Sequence, residues 1–321
     1  MIAAAADYAP RASDAATQGA HDTTVALHDP NRLTEQFRSD WRDLARHSAV
    51  ANPFFSQRFL DAALHQLSRG DSIRLLTFRA NEDDALIFLA PIIKQCGYAK
   101  LPLCYYAIWT HAHCFNGTPL VRKNEEQLAL TALARWIDTE PDGALFFRMP
   151  CFIDEASLAH WTAPSSSIAA RMKVQRCHQR AAVGANADIN AHLTSALSGK
   201  KQKELRRQFR RLGDHGAVSF QTRSVDAATL RAFERLENAG WKAEAAEGRP
   251  LAGSATDHAF FVEACLGDPN AMCLALNVDQ RPIAMLIILK SGDRLSASRR
   301  FDQQMNAGRV GAPGGVMGDL E

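Results

Sequence analysis

The chain has no apolar run long enough to span a bilayer. Its longest, Ala85 to Ile93 and Pro282 to Leu289, are strand-sized against the about 18 residues a membrane helix needs. It has no excess of either charge. Lys and Arg number 37 against 35 Asp and Glu, a net charge of +2, so no global field steers it to nucleic acid or to an anionic membrane. It has no Cys-x-x-Cys pair, and its seven cysteines are odd in number. Most of them lie in apolar runs, where a free thiol packs as a small hydrophobe. That reads as unpaired thiols in a reducing compartment, the cytoplasm. The N-terminal stretch MIAAAADYAPRASDAATQGAHDTT lacks both a basic region and a continuous apolar core, which argues against a signal peptide. Residues 1–22 read as a disordered tail. The composition excludes collagen, low-complexity polymers and small disulfide scaffolds. A length of 321 residues suggests about two domains.

Periodicity supplies the elements. Leu33, Phe37, Trp41 and Leu44 mark one helical face between Arg32 and His47,. Pro53 opens a second helix lined by Phe55, Phe59, Ala63 and Leu67, and Gly70 ends it,. Thr24 to Leu27 is a short strand; Ser72 to Arg79 and Ala85 to Ile93 form a hairpin, and Tyr105 to Thr110 is a third strand,. Glu125 to Thr139 is a helix and Ala144 to Met149 a strand. The Pro- and Ser-containing stretch Cys151 to Ser167 is the domain boundary,, dividing the chain into 23–165 and 166–321. The second half opens with a strand over Ala170 to Cys177 and a loop over Gly184 to Asp188.

From Val218 the order repeats: a strand to Arg223, helices over Asp226 to Ala239 and Thr256 to Leu266, then strands over Met272 to Val278, Ile283 to Leu289 and Leu295 to Phe301. LTFRANEDDALIFLAPIIK (Leu76 to Lys94) parallels LALNVDQRPIAMLIILK (Leu274 to Lys290). Each has an apolar strand, a charged turn and a longer apolar strand ending in Lys, and each follows two helices. The shared order points to an internal duplication.

That order opens the GNAT acyltransferase fold. The chain resembles the CelD-like/BioF-like GNAT family (acetyltransferase 6), relatives of the FemAB double-GNAT ligases. The resemblance rests on NPFFSQRFLDAAL from Asn52, FNGTPLV from Phe115, SGKKQKELRRQFRRLGDHGAVSF from Ser198, LENAGWKAEAAEG from Leu236, VDQRPIAMLIIL from Val278 and RRFDQQ from Arg299. It implies an α/β class, an α+β mixed sheet in tandem GNAT-like domains. It implies an acyl-CoA-dependent N-acyltransferase, often associated with polysaccharide or envelope biosynthesis, with acyl-CoA mainly on the C-terminal repeat. In the fold, the amides of the turn and helix after the third meander strand hold the CoA pyrophosphate. Here that strand ends near Asp302, and the following MNAGRVGAPGGVMGDLE departs from the family's Pro-Gly turn and apolar helix. The expectation is a C-terminal domain that is truncated or frameshifted, inactive or completed by a partner, with an exposed sheet that self-associates.

Seven cations in twelve residues, Lys200, Lys201, Lys203, Arg206, Arg207, Arg210 and Arg211, flank a Leu205, Phe209, Leu212 stripe. This reads as a helix docked by its apolar face, capped by Ser198 and ended by Gly213. Its plain role is a solvated basic face. Its functional role is an anion contact, with Arg207 binding substrate. Trp241 and Lys242 lie in a small-residue loop after a helix and offer a flat wall and a cation to an acceptor. The glycine-rich turn with Arg309, Gly311 and Gly314 presents amides to a cofactor phosphate. Candidate bases for the attacking amine are Glu237, His258 and Asp302,. His111, His113 and Cys114 alternate as metal ligands do, but with no second cluster no metal is expected. The acceptor is a small-molecule or saccharide amine, nucleic acid is not expected, and the alternatives are a non-catalytic scaffold for an anionic partner and a FemAB-like aminoacyl ligase.

Overall fold

The computed structural model describes residues 23–139, 143–152, 172–176, 188–239, 254–292 and 294–302. It is a mixed α/β structure with two sheets. The first contains β1 (Thr23–His28), β2 (Ile73–Ala80), β3 (Leu86–Tyr98), β4 (Leu101–Ile108) and β6 (Ala144–Arg148) in that spatial order, and the two-residue β5 (Leu120–Val121) also pairs with β3. All pairs are antiparallel except β4 with β6, which are parallel and connected through α3 (Glu126–Thr139). The second sheet is antiparallel throughout: β7 (Val218–Ser224), β8 (Ala271–Val278), β9 (Arg281–Ser291) and β10 (Arg294–Asp302), ordered β10-β9-β8-β7. Helices α1 (Glu35–Arg46) and α2 (Gln57–Leu67) precede β2. Helices α4 (Ile189–Ala196) and α5 (Gly199–Gly213) precede β7, and α6 (Ala227–Ala239) and α7 (Ala255–Cys265) precede β8. None of these helices is long and apolar enough to cross a membrane.

Local chemistry explains the boundaries. The Thr34 hydroxyl accepts from the Phe37 amide at 3.2 Å and starts α1,. The expected stripe buries Phe37, Trp41 and Leu44, and the Trp41 indole donates to the Phe55 carbonyl at 2.9 Å. The two tight hairpins turn on Ala99–Lys100 (φ 50° and 66°) and Asp279–Gln280 (φ 47° and 64°). Two successive left-handed residues match the right-handed twist of the flanking strands.

The two halves share more than element order. β2 and β8 have eight residues each, and each follows its helix after the same five-residue connection, 68–72 and 266–270. The registers Ile73 with Ile93 and Ala271 with Leu289 make Ile73 the counterpart of Ala271 and Lys94 the counterpart of Lys290. The same count makes α2 the counterpart of α7, and His65 the counterpart of Glu263. These two helices pack on each other, and His65 Nδ1 lies 3.0 Å from Glu263 Oε2. A residue that touches its own counterpart marks a local two-fold relation. The seam is aromatic: Phe59 of α2 meets Phe260 of α7 edge to face at 5.1 Å.

One insertion breaks the correspondence. β10 runs along β9 as far as Asp302, opposite Ala284. β4 leaves β3 after Ile108, residues 109–119 leave the sheet, and β5 rejoins β3 opposite Phe88, the counterpart of Ala284. Asn52 holds the excursion, its side-chain amide donating to the carbonyls of Asn116 at 3.1 Å and Thr118 at 2.7 Å. At Gly117 a Cβ would lie 2.1 Å from the Pro150 carbonyl oxygen, so no side chain fits there. The excursion reaches α7. His113 Nε2 is 3.0 Å from Asp257 Oδ1, and the His111 ring packs against Phe59 and Phe260.

Burial, with the neighbouring His113 second, pushes His111 down from 6.5 to about 3. The folded state therefore keeps His111 neutral where the unfolded chain binds a proton. Stability is fully present above pH 6.5 and falls as pH drops from 6.5 toward 3, by about 2 kcal/mol at pH 5. His28, also lowered by burial, acts with the same sign. Urea denaturation at pH 7.5 and pH 5 should show that loss, and His111→Leu should remove most of it. An equal loss in the variant would exclude His111 as the cause.

Three expectations are corrected. The cysteines are not all free: Cys96 and Cys104 form a disulfide across the β3–β4 hairpin. The apolar run ends at Ile93, but β3 continues through the polar residues to Tyr98, which brings the two cysteines into register. This removes one ground for a reducing compartment. The chain-entropy gain for so short a loop is about 2–3 kcal/mol, so a reductant should lower the melting temperature of the wild type and leave Cys96→Ser/Cys104→Ser unchanged. Residues 172–176, expected in a strand, have no regular structure, and among the described residues the second sheet begins at β7. Finally, α5 buries no residue. Leu205 and Phe209 are 45% and 50% exposed, so its apolar stripe is not docked.

Candidate active site

The ends of α6 and α7 flank the connection 240–253, which contains Trp241 and Lys242 and lies outside the described residues. Ser254 caps α7, its hydroxyl accepting from the Asp257 amide at 3.1 Å, and places His258 in the first turn. Across from it stands Glu234 of α6, with Oε1 2.5 Å from His258 Nδ1. The approach is close but poorly directed for a hydrogen bond, since that carboxylate oxygen is left without a hydrogen-bond partner. The imidazole is half-exposed while the carboxylate is mostly covered. A carboxylate behind a solvent-facing imidazole is an arrangement that orients a general base.

The other expected residues are distributed as follows. Glu237 is wholly buried on α6, so Glu234 is the carboxylate beside His258. Asp302 ends β10 opposite Ala284. Arg207 is on exposed α5, bonded through Nε and Nη2 to Glu204 at 2.8 and 2.6 Å, and those bonds hold the Glu204 carboxyl below its usual range. Arg309, Gly311 and Gly314 lie outside the described residues. His111, His113 and Cys114 do not converge: His113 faces Asp257 and the Cys114 thiol donates to the Asn116 carbonyl. Among the described residues no three His, Cys, Asp or Glu side chains could share a metal ion. Burial pushes the Cys265 thiol up to about 12 and the Cys273 thiol up to about 11, so neither supplies a thiolate nucleophile at neutral pH.

β10 is the edge of the second sheet among the described residues, and its register shifts between Ala297 and Arg299. A bulge at an edge redirects backbone groups out of the ladder. The counterpart strand β4 has no such freedom, because β6 pairs along its outer side. On the far side of α6 lies a cleft of about 540 Å³, lined by Arg223, Thr229, Arg235 and Pro282 among others. The register partner of Pro282 is Asn277, which is wholly buried with both amide atoms unpartnered among the described residues. The same lining contains the Asp226 carboxylate, which accepts from the Thr229 amide at 2.7 Å, and Arg223 donates to Gln221 Oε1, so the cleft is of mixed charge.

No curated protein matches the chain. A crystal structure of a Trypanosoma brucei acetyltransferase is similar at a TM-score of 0.31 and 12% identity, covering 50% of this chain and 100% of that one. Residues 199–298, from α5 into β10, match the family model of the acetyltransferase (GNAT) domain, Acetyltransf_6. Over those residues the chain is similar to a GNAT-type acetyltransferase domain, a likeness that supports acyl-transfer chemistry in general.

Proposed function

We propose that the second repeat transfers an acyl group from an acyl-CoA to an amine, with His258 as the base. The observation that carries the assignment of the base is the Glu234–His258 pair, inside the span that matches the GNAT family. The donor supplies a thioester, whose carbonyl carbon accepts the amine as the C–S bond breaks; the sulfur leaves as a thiolate and becomes a thiol on taking the proton that His258 removes from the amine. The chain's own groups do the rest. His258 Nδ1 faces Glu234, which leaves Nε2 to take the amine proton as the C–N bond forms. The amides of bulged β10 meet the negative charge that develops on the thioester oxygen. Residues beyond Asp302 contain Arg309, Gly311 and Gly314, which we assign to the cofactor phosphates.

The fit favours the second repeat over the first. In the first, β6 occupies the outer side of the third strand. There, too, the helix that follows opens on Glu125 and Glu126, and carboxylates at a helix N-terminus repel an anion from a site otherwise suited to one. The CelD-like resemblance supports a saccharide amine as acceptor, met by Trp241 and Lys242. Calorimetry with acetyl-CoA tests the reading. Micromolar binding supports it. Absence of binding together with retention on heparin replaces it with a scaffold for an anionic partner.

A further inference from the structure

The helix that carries His258 is held by the first repeat at both ends and at its middle. At the last turn of α7, Arg58 of α2 donates through Nε to the Glu263 carbonyl at 3.1 Å and through Nη2 to the Leu266 carbonyl. Carbonyls at a helix end have no following turn to satisfy them. At the middle, Phe260 packs on Phe59. At the first turn the contact is polar and comes from the excursion 109–119, where His113 Nε2 lies 3.0 Å from Asp257 Oδ1.

That contact is mostly shielded from solvent, with the His113 side chain 7% exposed and that of Asp257 15% exposed. The imidazole is also fixed by packing. It stacks on Phe260, centroids 5.3 Å apart and planes 14° apart, and meets Phe261 edge to face at 5.0 Å. A ring locked in this way aims its hydrogen bond in one direction. The excursion that carries it is anchored in turn by Asn52.

Asp257 and His258 are consecutive residues of the first turn. Successive side chains on a helix point about 100° apart, so Asp257 turns to the first repeat while His258 turns to Glu234 of α6. The start of a helix has no preceding turn to hold it, and Ser254 secures its backbone through the Asp257 amide. A bond that fixes the Asp257 side chain fixes the rotation of this turn about the helix axis. The direction of the His258 imidazole follows.

We infer that His113 is a positioning residue for the reaction: its bond to Asp257 sets the first turn of α7 so that His258 faces Glu234. The inference rests on the acyl-transfer reading, in which His258 is the base. It gives the first repeat a task in chemistry that takes place on the second.

The test compares His113→Leu with His113→Gln, whose amide nitrogen reaches as far as Nε2, and with Arg58→Met, which loosens the opposite end of the same helix. In the full chain labelled with ¹⁵N-histidine, the His258 ring signal is identified by its loss in His258→Ala. His113→Leu should move or broaden that signal, and the other two variants should leave it in place. Turnover of acetyl-CoA with glucosamine is the second readout. His113→Leu should lower kcat about tenfold with the KM for acetyl-CoA unchanged, and His113→Gln should restore most of it. In the His258→Ala background, His113→Leu should cost nothing more, because it acts through that imidazole. An unmoved His258 signal in His113→Leu overturns the inference. So does an equal fall in kcat in both backgrounds, or a fall in Arg58→Met as large as in His113→Leu, since either makes the role structural only. Wild-type kcat in His258→Ala would remove the base and this inference with it. Wild-type kcat in His113→Leu beside an impaired His258→Ala overturns this inference alone.

Discussion

Replacing His258 with Ala should lower kcat by about 100- to 10,000-fold, the range for removal of a positioned general base. Acetyl-CoA binding and the melting temperature should not change. The side chain is half-exposed and its main contact is Glu234, so its loss leaves no cavity. Glu234→Gln should cost less, about tenfold, because the imidazole remains and only its orientation and charge support are weakened. The two defects should not add when combined, since both act through one proton transfer. A His258→Ala enzyme with wild-type kcat would remove the base from this position.

Phe260→Ala should cost about 3–5 kcal/mol in urea denaturation. The ring is 0% exposed and contacts Phe59 at 5.1 Å, Phe261 at 5.2 Å, His113 at 5.3 Å and His111 at 5.5 Å. Those partners come from α2, from α7 and from the excursion 109–119, so truncation opens a cavity where both repeats meet. Phe220→Ala is the control. That ring is 73% exposed, and the change should stay within about 0.5 kcal/mol. If Phe260→Ala were as mild as Phe220→Ala, the seam would not be a packed core.

Much of this architecture could be read from apolar spacing. Phe37, Trp41 and Leu44 form the buried face of α1 as their spacing predicts, because a surface helix must bury one stripe. The parallel between Leu76–Lys94 and Leu274–Lys290 appears again as matched strand registers. Spacing failed where only tertiary contact decides. The polar end of β3 carries no alternation signal, so the Cys96–Cys104 pairing was hidden. The excursion 109–119 looked like a continuation of the third strand at Trp109 and Thr110, because the Asn52 contacts that hold it away come from 64 and 66 positions earlier. The α5 stripe has the pattern of a docked helix, yet a pattern cannot say whether a partner surface is present. His258 could be named as a titratable group near the loop, but Glu234, across that loop on another helix, leaves no mark in local sequence.

Hydrogen exchange across the backbone, with and without saturating acetyl-CoA, tests the donor's placement. Slowed exchange is expected in β10, residues 294–302, and unchanged exchange in β4 and at the start of α3. Protection at β4 and α3 with none at β10 would contradict the placement of the donor on the second repeat.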